Sequence, residues 1–327
     1  MKNWFEGRAK KPRFKAKKNK QSISFPQNVK VVGNYLKVPK IGLVEAKITP
    51  SIEGEIKTVT ISVTPSGKYF ASIGLDDKLP ELESSTDGVI TGIDLGLKDY
   101  LTCHNGTDTD SVKHPKWLKK HERNLRYQQK KLSRRKKNSK RREKARRLVA
   151  KVHERLSNAR QDFLHKLSRK ITDESQVVVV ENLNIKGMVK NRRLSKAIVQ
   201  SGWGMFLNFL DYKLKHKGGV LVEIDRFFPS SKMCSNCGHI HQELELKDRE
   251  WICSNCSTHH LRDENASRNI RLEGINKLDG AYKHLRFPQM TAPRLGHSLR
   301  GDGLRLGTCS KQLSVKRVPS YEQLVLF

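Results

Sequence analysis

Two Cys-x-x-Cys pairs, Cys234 with Cys237 and Cys253 with Cys256, are separated by fifteen residues. Tight knuckles of this kind bring four thiolates to one point, the tetrahedral sulfur set that suits Zn²⁺, and Gly238 directly after the first pair permits the sharp turn. Four thiolates leave no open position, so the chemistry implied is structural rather than catalytic. Four unrelated core cysteines would not repeat one spacing within 23 residues. His239, His241, His259 and His260 stand near as substitutes or outer groups, although each reads more simply as a surface histidine. Cys103 and Cys309 have no partner in the pattern and read as free thiols.

Three carboxylates form a second set. Asp94 lies within Gly92-Ile93-Asp94-Leu95-Gly96, Glu181 closes the run Val177-Val178-Val179-Val180, and Asp263 falls in Leu261-Arg262-Asp263-Glu264-Asn265-Ala266. A carboxylate among apolar residues on a central strand loses hydration, at a cost of several kcal/mol unless a cation or hydrogen bond compensates. Mg²⁺ or Mn²⁺ is the natural compensation. A pair of such ions about 4 Å apart can activate a water and stabilise the leaving oxygen of a phosphodiester. Taken singly, each acid reads as readily as a turn or helix cap; the three together with a basic helix and a zinc knuckle favour metal. Gly-Ile-Asp-Leu-Gly also resembles the first phosphate loop of actin-like ATPases, but no second glycine-rich loop or adenosine motif follows.

The elements that must carry these residues are legible from pattern. Ser22–Phe25, Tyr35–Val38, Lys57–Val63 and Tyr69–Ile73 alternate with period two between Gly and Pro breaks, which predicts short antiparallel strands in a small β domain over 22–86. Residues 76–87 read as a polar linker. Val89–Asp94 and Tyr100–Cys103 predict a hairpin, Val177–Glu181 and Val220–Ile224 predict buried strands, and Ile198–His216 predicts an amphipathic helix stopped by Gly218-Gly219. An opening hairpin followed by strands alternating with helices is an α/β domain. Between 116 and 151, 18 of 36 residues are Lys or Arg around a sparse stripe of Leu118, Leu125, Leu132, Leu148 and Val152, which predicts a long basic helix or two joined near Ser139.

Charge points to the partner. The 327 residues carry 65 Lys and Arg against 33 Asp and Glu, a formal charge of +32 that marks a polyanion ligand. Residues 1 to 20 add nine basic residues and one acid, a phosphate-contacting arm. Hydrophobic residues at 36% exclude a merely disordered basic chain. No apolar run approaches the roughly 18 residues of a membrane span, no apolar signal region follows the first lysines, and the cysteines read as metal ligands in a reducing compartment. The expectation is a cytoplasmic, nucleoid-associated protein with no membrane partner. Lys130, Lys131, Arg134, Arg135, Lys136, Lys137, Arg141 and Arg142 are the candidate nucleic-acid contacts.

Together, Gly92-Ile-Asp94-Leu-Gly96-Leu-Lys98, Val180-Glu181-Asn182-Leu183, Phe227-Phe228-Pro229-Ser230-Ser231-Lys232-x-Cys234-Ser-x-Cys237-Gly238 and Arg262-Asp263-x-Asn265-Ala266 resemble the TnpB (OrfB) proteins of insertion sequences, relatives of type V CRISPR effectors. The resemblance runs in order from about Trp4 to Ile270. It implies a RuvC-like nuclease domain of RNase H fold over 87–229 and 258–277, with long basic helices at 116–172. A zinc-ribbon insert falls at 230–257, a partial wedge-like β-barrel at 22–86, a basic arm at 1–21 and a poorly ordered tail at 278–327. Asp94, Glu181 and Asp263 become the catalytic acids, with Mg²⁺ or Mn²⁺ as catalytic cofactor, Zn²⁺ as structural cofactor, and a transposon-end guide RNA and target DNA as partners. Leu261 stands where family members often carry another acid. Relatives begin with a β-strand and a helical recognition region before the segment resembling Lys2–Arg8, so the chain is expected to be N-terminally shortened and impaired in guided duplex cleavage. The alternative is an inactive RNA- or DNA-binding regulator; a transposase of relaxase type is disfavoured because no His-hydrophobe-His motif with a nearby Tyr is present.

Overall fold

The structure, a computed structural model, describes residues 5–7, 21–48, 54–76, 88–115, 117–245, 247–281 and 321–326. Most of the basic arm, the linker after Asp76 and most of the tail lie outside the described residues. The chain divides into two compact units, one formed by residues 1–79, 121–155 and 307–327, the other by 80–120 and 156–306.

In the first unit, β1 (Gln21–Phe25), β2 (Lys30–Val32), β3 (Tyr35–Val38), β4 (Gly42–Lys47), β5 (Glu55–Val63), β6 (Tyr69–Asp76) and β14 (Tyr321–Leu326) make one antiparallel sheet in the order β1-β5-β6-β14-β4-β3-β2. Alternation buries Leu36, Val38, Val59, Ala71 and Ile73 on one face, as a two-residue side-chain period demands. β14 falls in the segment expected to form a tail; its backbone pairs with β6 and β4. That partnership joins residues far apart in sequence, and no local pattern announces it.

The basic segment is two helices, α1 (Trp117–Ser133) and α2 (Lys140–Glu174). Ser139 accepts the Arg142 amide at 3.1 Å as an N-cap. Residues 121–155 group with the β unit, whereas the sequence reading placed the whole segment in the second domain; a Lys68–Glu154 ion pair of 3.4 Å is one of the ties.

The second unit is mixed α/β. Its five-stranded sheet has the order β11-β10-β7-β8-β9, from β7 (Ile90–Leu95), β8 (Asp99–His104), β9 (Thr109–Lys113), β10 (Val177–Glu181) and β11 (Val220–Ile224). The opening strands β7, β8 and β9 pair antiparallel, and β10 runs parallel to both β7 and β11. Val178 and Val180 enter a core with Leu164, Trp203, Phe206 and Leu210, while Val177 and Val179 enter another with Ile90, Ile224 and Ile270. Both faces of β10 are therefore dry, which is why it reads as unbroken valine. The expected helix over 198–216 is broken into α4 (Ser195–Ser201) and α5 (Trp203–His216), after the short α3 (Ile185–Met188); Gly202, at φ +68°, supplies the left-handed residue at the break. A small hairpin of β12 (Glu250–Ile252) and β13 (His259–Leu261) leads directly into α6 (Arg262–Ala281). Among the described residues no helix is long and apolar enough to cross a membrane.

Candidate functional site

The parallel register decides where two of the carboxylates go. Ile93 lies opposite Val180, so the next step along both strands sets Asp94 beside Glu181. By the two-residue period, Asp94 continues the row of Ile90 and Gly92, and Glu181 that of Val177 and Val179, onto the sheet face packed against Ile270 of α6. Asp263 is the second residue of that helix.

Gly92 makes this approach possible. A Cβ there would lie 2.3 Å from the Ser267 carbonyl oxygen and 2.6 Å from the Arg271 backbone nitrogen, so the strand and the helix touch through backbone. Arg271 reinforces the contact by donating Nε to the Ile90 carbonyl at 2.8 Å. Asn265 and Asn269, one helical turn apart, donate to the Met233 carbonyl at 2.7 and 2.6 Å, and Asn269 also to that of Ser230 at 2.7 Å. They fasten the approach to the first cysteine knuckle onto α6.

The charges of the other two acids act on Asp94. Burial pushes the Asp94 carboxyl up to about 7, the charges of Glu181 and Asp263 push in the same direction, and Arg262 and Arg249 oppose them. Ser230 donates its hydroxyl to Glu181 Oε1, and Arg249 Nη1 stands 3.4 Å from Asp263 Oδ1. A buried carboxyl whose proton affinity is raised by two neighbouring acids is chemically matched to a divalent cation, whose charge would relieve the repulsion. The three carboxylates are not closed upon each other as the sulfurs are: among the described residues, Cys234, Cys237, Cys253 and Cys256 are the one group of three or more such side chains with all ligand atoms within 4.8 Å. Ser230, Arg249, Arg262 and Asn269 were not singled out from the sequence; Ser230 and Arg262 sit inside the quoted motifs, while Arg249 and Asn269 carry no local signal.

The four sulfurs come from two matching turns. Gly238 N donates to the Cys234 carbonyl and Ser257 N to the Cys253 carbonyl, each at 2.9 Å, and both residues after the knuckles are left-handed, at φ +76° and +56°. Cys234–Cys256 and Cys237–Cys253 sulfur separations are 3.6 Å, close to the roughly 3.8 Å edge of a tetrahedron with Zn–S bonds of about 2.3 Å. The Thr258 hydroxyl draws the Cys256 thiol down to about 5, while burial drives Cys234 up to about 12. The buried sulfur therefore requires a cation to ionise, and the donor set fits zinc.

His260 corrects an expectation. It is buried rather than on the surface, with Nε2 3.0 Å from Cys234 Sγ and its ring 4.7 Å from that of Trp251. Burial lowers its pKa and favours the neutral ring, which can donate one N–H to the sulfur. Cys309 lies outside the described residues, and Cys103 is free.

Lys130, Lys131, Arg134 and Arg135 line, with Tyr127, an open pocket of about 380 Å³, and Lys136, Lys137 and Arg141 are exposed. Arg142 differs: its Nη1 donates to the carbonyls of Leu132 and Arg135 at 3.1 and 2.9 Å, closing the turn between α1 and α2.

Comparison with known proteins adds the following. A family model described as "Probable transposase" (OrfB_IS605) matches residues 75–192, and one described as "Cas12f1-like, TNB domain" matches 203–270. The chain is 38% identical over 84% of its length to a "Putative RNA-guided DNA endonuclease" of Streptomyces pristinaespiralis and 27% identical, also over 84%, to "Putative RNA-guided DNA endonuclease InsQ" of Escherichia coli, covering 68% and 71% of those proteins. Among solved structures, that titled "Cryo-EM structure of the Cas12f1-sgRNA-target DNA complex" aligns at 18% identity with a TM-score of 0.47, over 66% of this chain and 45% of that one. The chain thus spans less than half of the length of that solved protein.

Proposed function

Because the chain belongs to the TnpB (OrfB) family, we propose that it is a transposon-encoded, RNA-guided DNA endonuclease that hydrolyses phosphodiesters at Asp94, Glu181 and Asp263. The observation that carries this reading is the convergence on Asp94 of burial and the fields of Glu181 and Asp263, supplied by two adjacent strands and one helix. The strand order, three antiparallel strands extended by two parallel ones, supports an RNase H-like, RuvC-like assignment for the unit. The seven-stranded unit is read as the wedge-like element that holds RNA.

A pair of Mg²⁺ or Mn²⁺ ions held by the three acids would supply the activated water and stabilise the leaving oxygen. The chain's own residues prepare the site. Ser230 orients Glu181 through its hydroxyl, Gly92 and Arg271 hold the start of α6 against β7, and Arg249 can turn from Asp263 to an approaching phosphate, for which a guanidinium is the stronger partner geometry. Cys234, Cys237, Cys253 and Cys256 would hold a structural Zn²⁺ that fixes the ribbon carrying Arg249. Lys and Arg of α1 and α2 would hold the guide–target backbone, while pairing with the transposon-end guide RNA reads target sequence.

The test is to purify the full chain with co-expressed transposon-end RNA and supply a matching DNA duplex. Site-specific cleavage should require Mg²⁺ or Mn²⁺, stop with EDTA, and vanish in Asp94→Ala, Glu181→Ala and Asp263→Ala while RNA remains bound. Guided binding with no cleavage in either metal would assign the chain to the inactive binders instead.

A further inference from the structure

Phe227 is 87% exposed, the most exposed large apolar side chain among the described residues. It does not sit on a loose loop. Asp225 Oδ1 accepts the Phe227 amide at 2.8 Å, the Asp225 carbonyl accepts the Phe228 amide at 3.3 Å, and the Phe228 carbonyl accepts that of Ser230 at 2.8 Å. Phe228 packs against the core that holds Ile224, so one aromatic of the pair is anchored and the other is turned to solvent. The two side chains bracketing this stretch are both tied to the end of β10. Arg226 donates Nε to the Asn182 carbonyl at 3.3 Å and Nη2 to Asn182 Oδ1 at 3.0 Å, and Ser230 donates to Glu181.

A backbone held by clamps to Glu181 and Asn182 carries an exposed aromatic ring at the carboxylate end of the sheet. In a chain with a formal charge of +32, such a ring suits a ligand that is flat and aromatic on one side and anionic on the other, the chemistry of an unpaired nucleotide. We propose that Phe227 is a positioning residue on which an unpaired base of the DNA strand stacks, so that the adjoining phosphodiester is presented to Asp94, Glu181 and Asp263. The inference rests on the nuclease reading above, and it adds a determinant that acts on strand placement rather than on bond cleavage.

The probe is a short single-stranded DNA carrying 2-aminopurine, whose fluorescence is quenched by stacking. Binding is measured in the Asp94→Ala background to prevent cutting, and cleavage in the otherwise unaltered full chain with Mg²⁺. Phe227→Ala should abolish the quench at one nucleotide position, weaken binding and raise KM by about 10-fold, the size of a base–aromatic contact, and leave kcat and the melting temperature nearly unchanged. Phe227→Tyr should restore both the quench and KM, and Phe227→Leu should restore neither. If Phe227→Leu restores them as well as Tyr does, the contact is generic apolar packing and stacking is overturned. If Phe227→Ala changes neither quench nor KM in a chain that cuts, this inference fails and the nuclease reading survives. A chain that neither binds nor cuts DNA overturns both.

Discussion

Asp94 illustrates how a site can be held at the expense of the fold that contains it. Its carboxyl, pushed up to about 7 by burial and by two neighbouring acids, keeps a proton that the unfolded chain releases near 4. Between those values the folded state binds more protons, so this group's contribution to stability falls as pH rises from about 4 through 7 and stays low above. Asp94→Asn is therefore expected to stabilise the metal-free protein at pH 8 by about 1–3 kcal/mol and to change it little at pH 4, while abolishing cleavage. Urea melts in EDTA at the two pH values check this; equal or lower stability of the variant at pH 8 contradicts it. His260 acts in the opposite sense, supporting a neighbouring group. Its Nε2 lies 3.0 Å from Cys234 Sγ, so His260→Ala should weaken zinc retention about 10-fold in a chelator competition, the usual size of an outer hydrogen bond to a metal ligand. An unchanged zinc affinity would make the contact incidental.

Between helix α6 and strand β7 the constraint is backbone against backbone. The 2.3 Å approach that a Cβ at Gly92 would make to Ser267, and the 2.3 Å approach of one at Gly274 to Val179 Cγ2, mean that the helix lies on the sheet at two points where only glycine fits. Gly92→Ala should cost about 1–3 kcal/mol, the usual penalty for forced overpacking. Because α6 carries Asp263, cleavage should fall more than RNA binding does. Parallel measurement of chemical denaturation, RNA affinity and cleavage rate separates the two effects, and a proportionate loss of both activities would argue for general unfolding. Around the four cysteines the corresponding feature is local: Gly238 and Ser257 take the same left-handed turn after each knuckle, although only the first is a glycine.

For the chain taken whole, charge dominates. A surplus of +32 cannot be neutralised within the molecule, and its densest stretch forms α1 and α2. Binding to nucleic acid should weaken steeply with salt, and replacing Lys130, Lys131 and Arg134 with Gln should lower the slope of log K against log salt by about 2–3, since each phosphate contact contributes roughly 0.7–0.9. Arg142→Gln belongs to a different class: its guanidinium holds the carbonyls of Leu132 and Arg135, so its loss should loosen the α1–α2 turn. A salt slope unaltered by the triple replacement would move the contact surface elsewhere.

Elements whose identity depends on near neighbours were readable before any coordinates. The valine run of β10, the alternation of β5 and β6, the interruption of the basic helices near Ser139 and the paired cysteine spacing each reflect a local period or turn requirement. The break at Gly202 was missed because the apolar stripe continues on both sides of it, and the strand β14 because its partners lie far back in the chain. The acids could be picked out singly, but their mutual placement comes from the parallel register of β7 with β10 and from the contact of α6 at Gly92. Residue types and spacing carry donor chemistry and local geometry, so the cluster of four cysteines could be anticipated. Which helix reaches the strand ends, which arginine meets Asp263 and which phenylalanine is left in solvent depend on packing between distant segments, and the tertiary structure alone decides them.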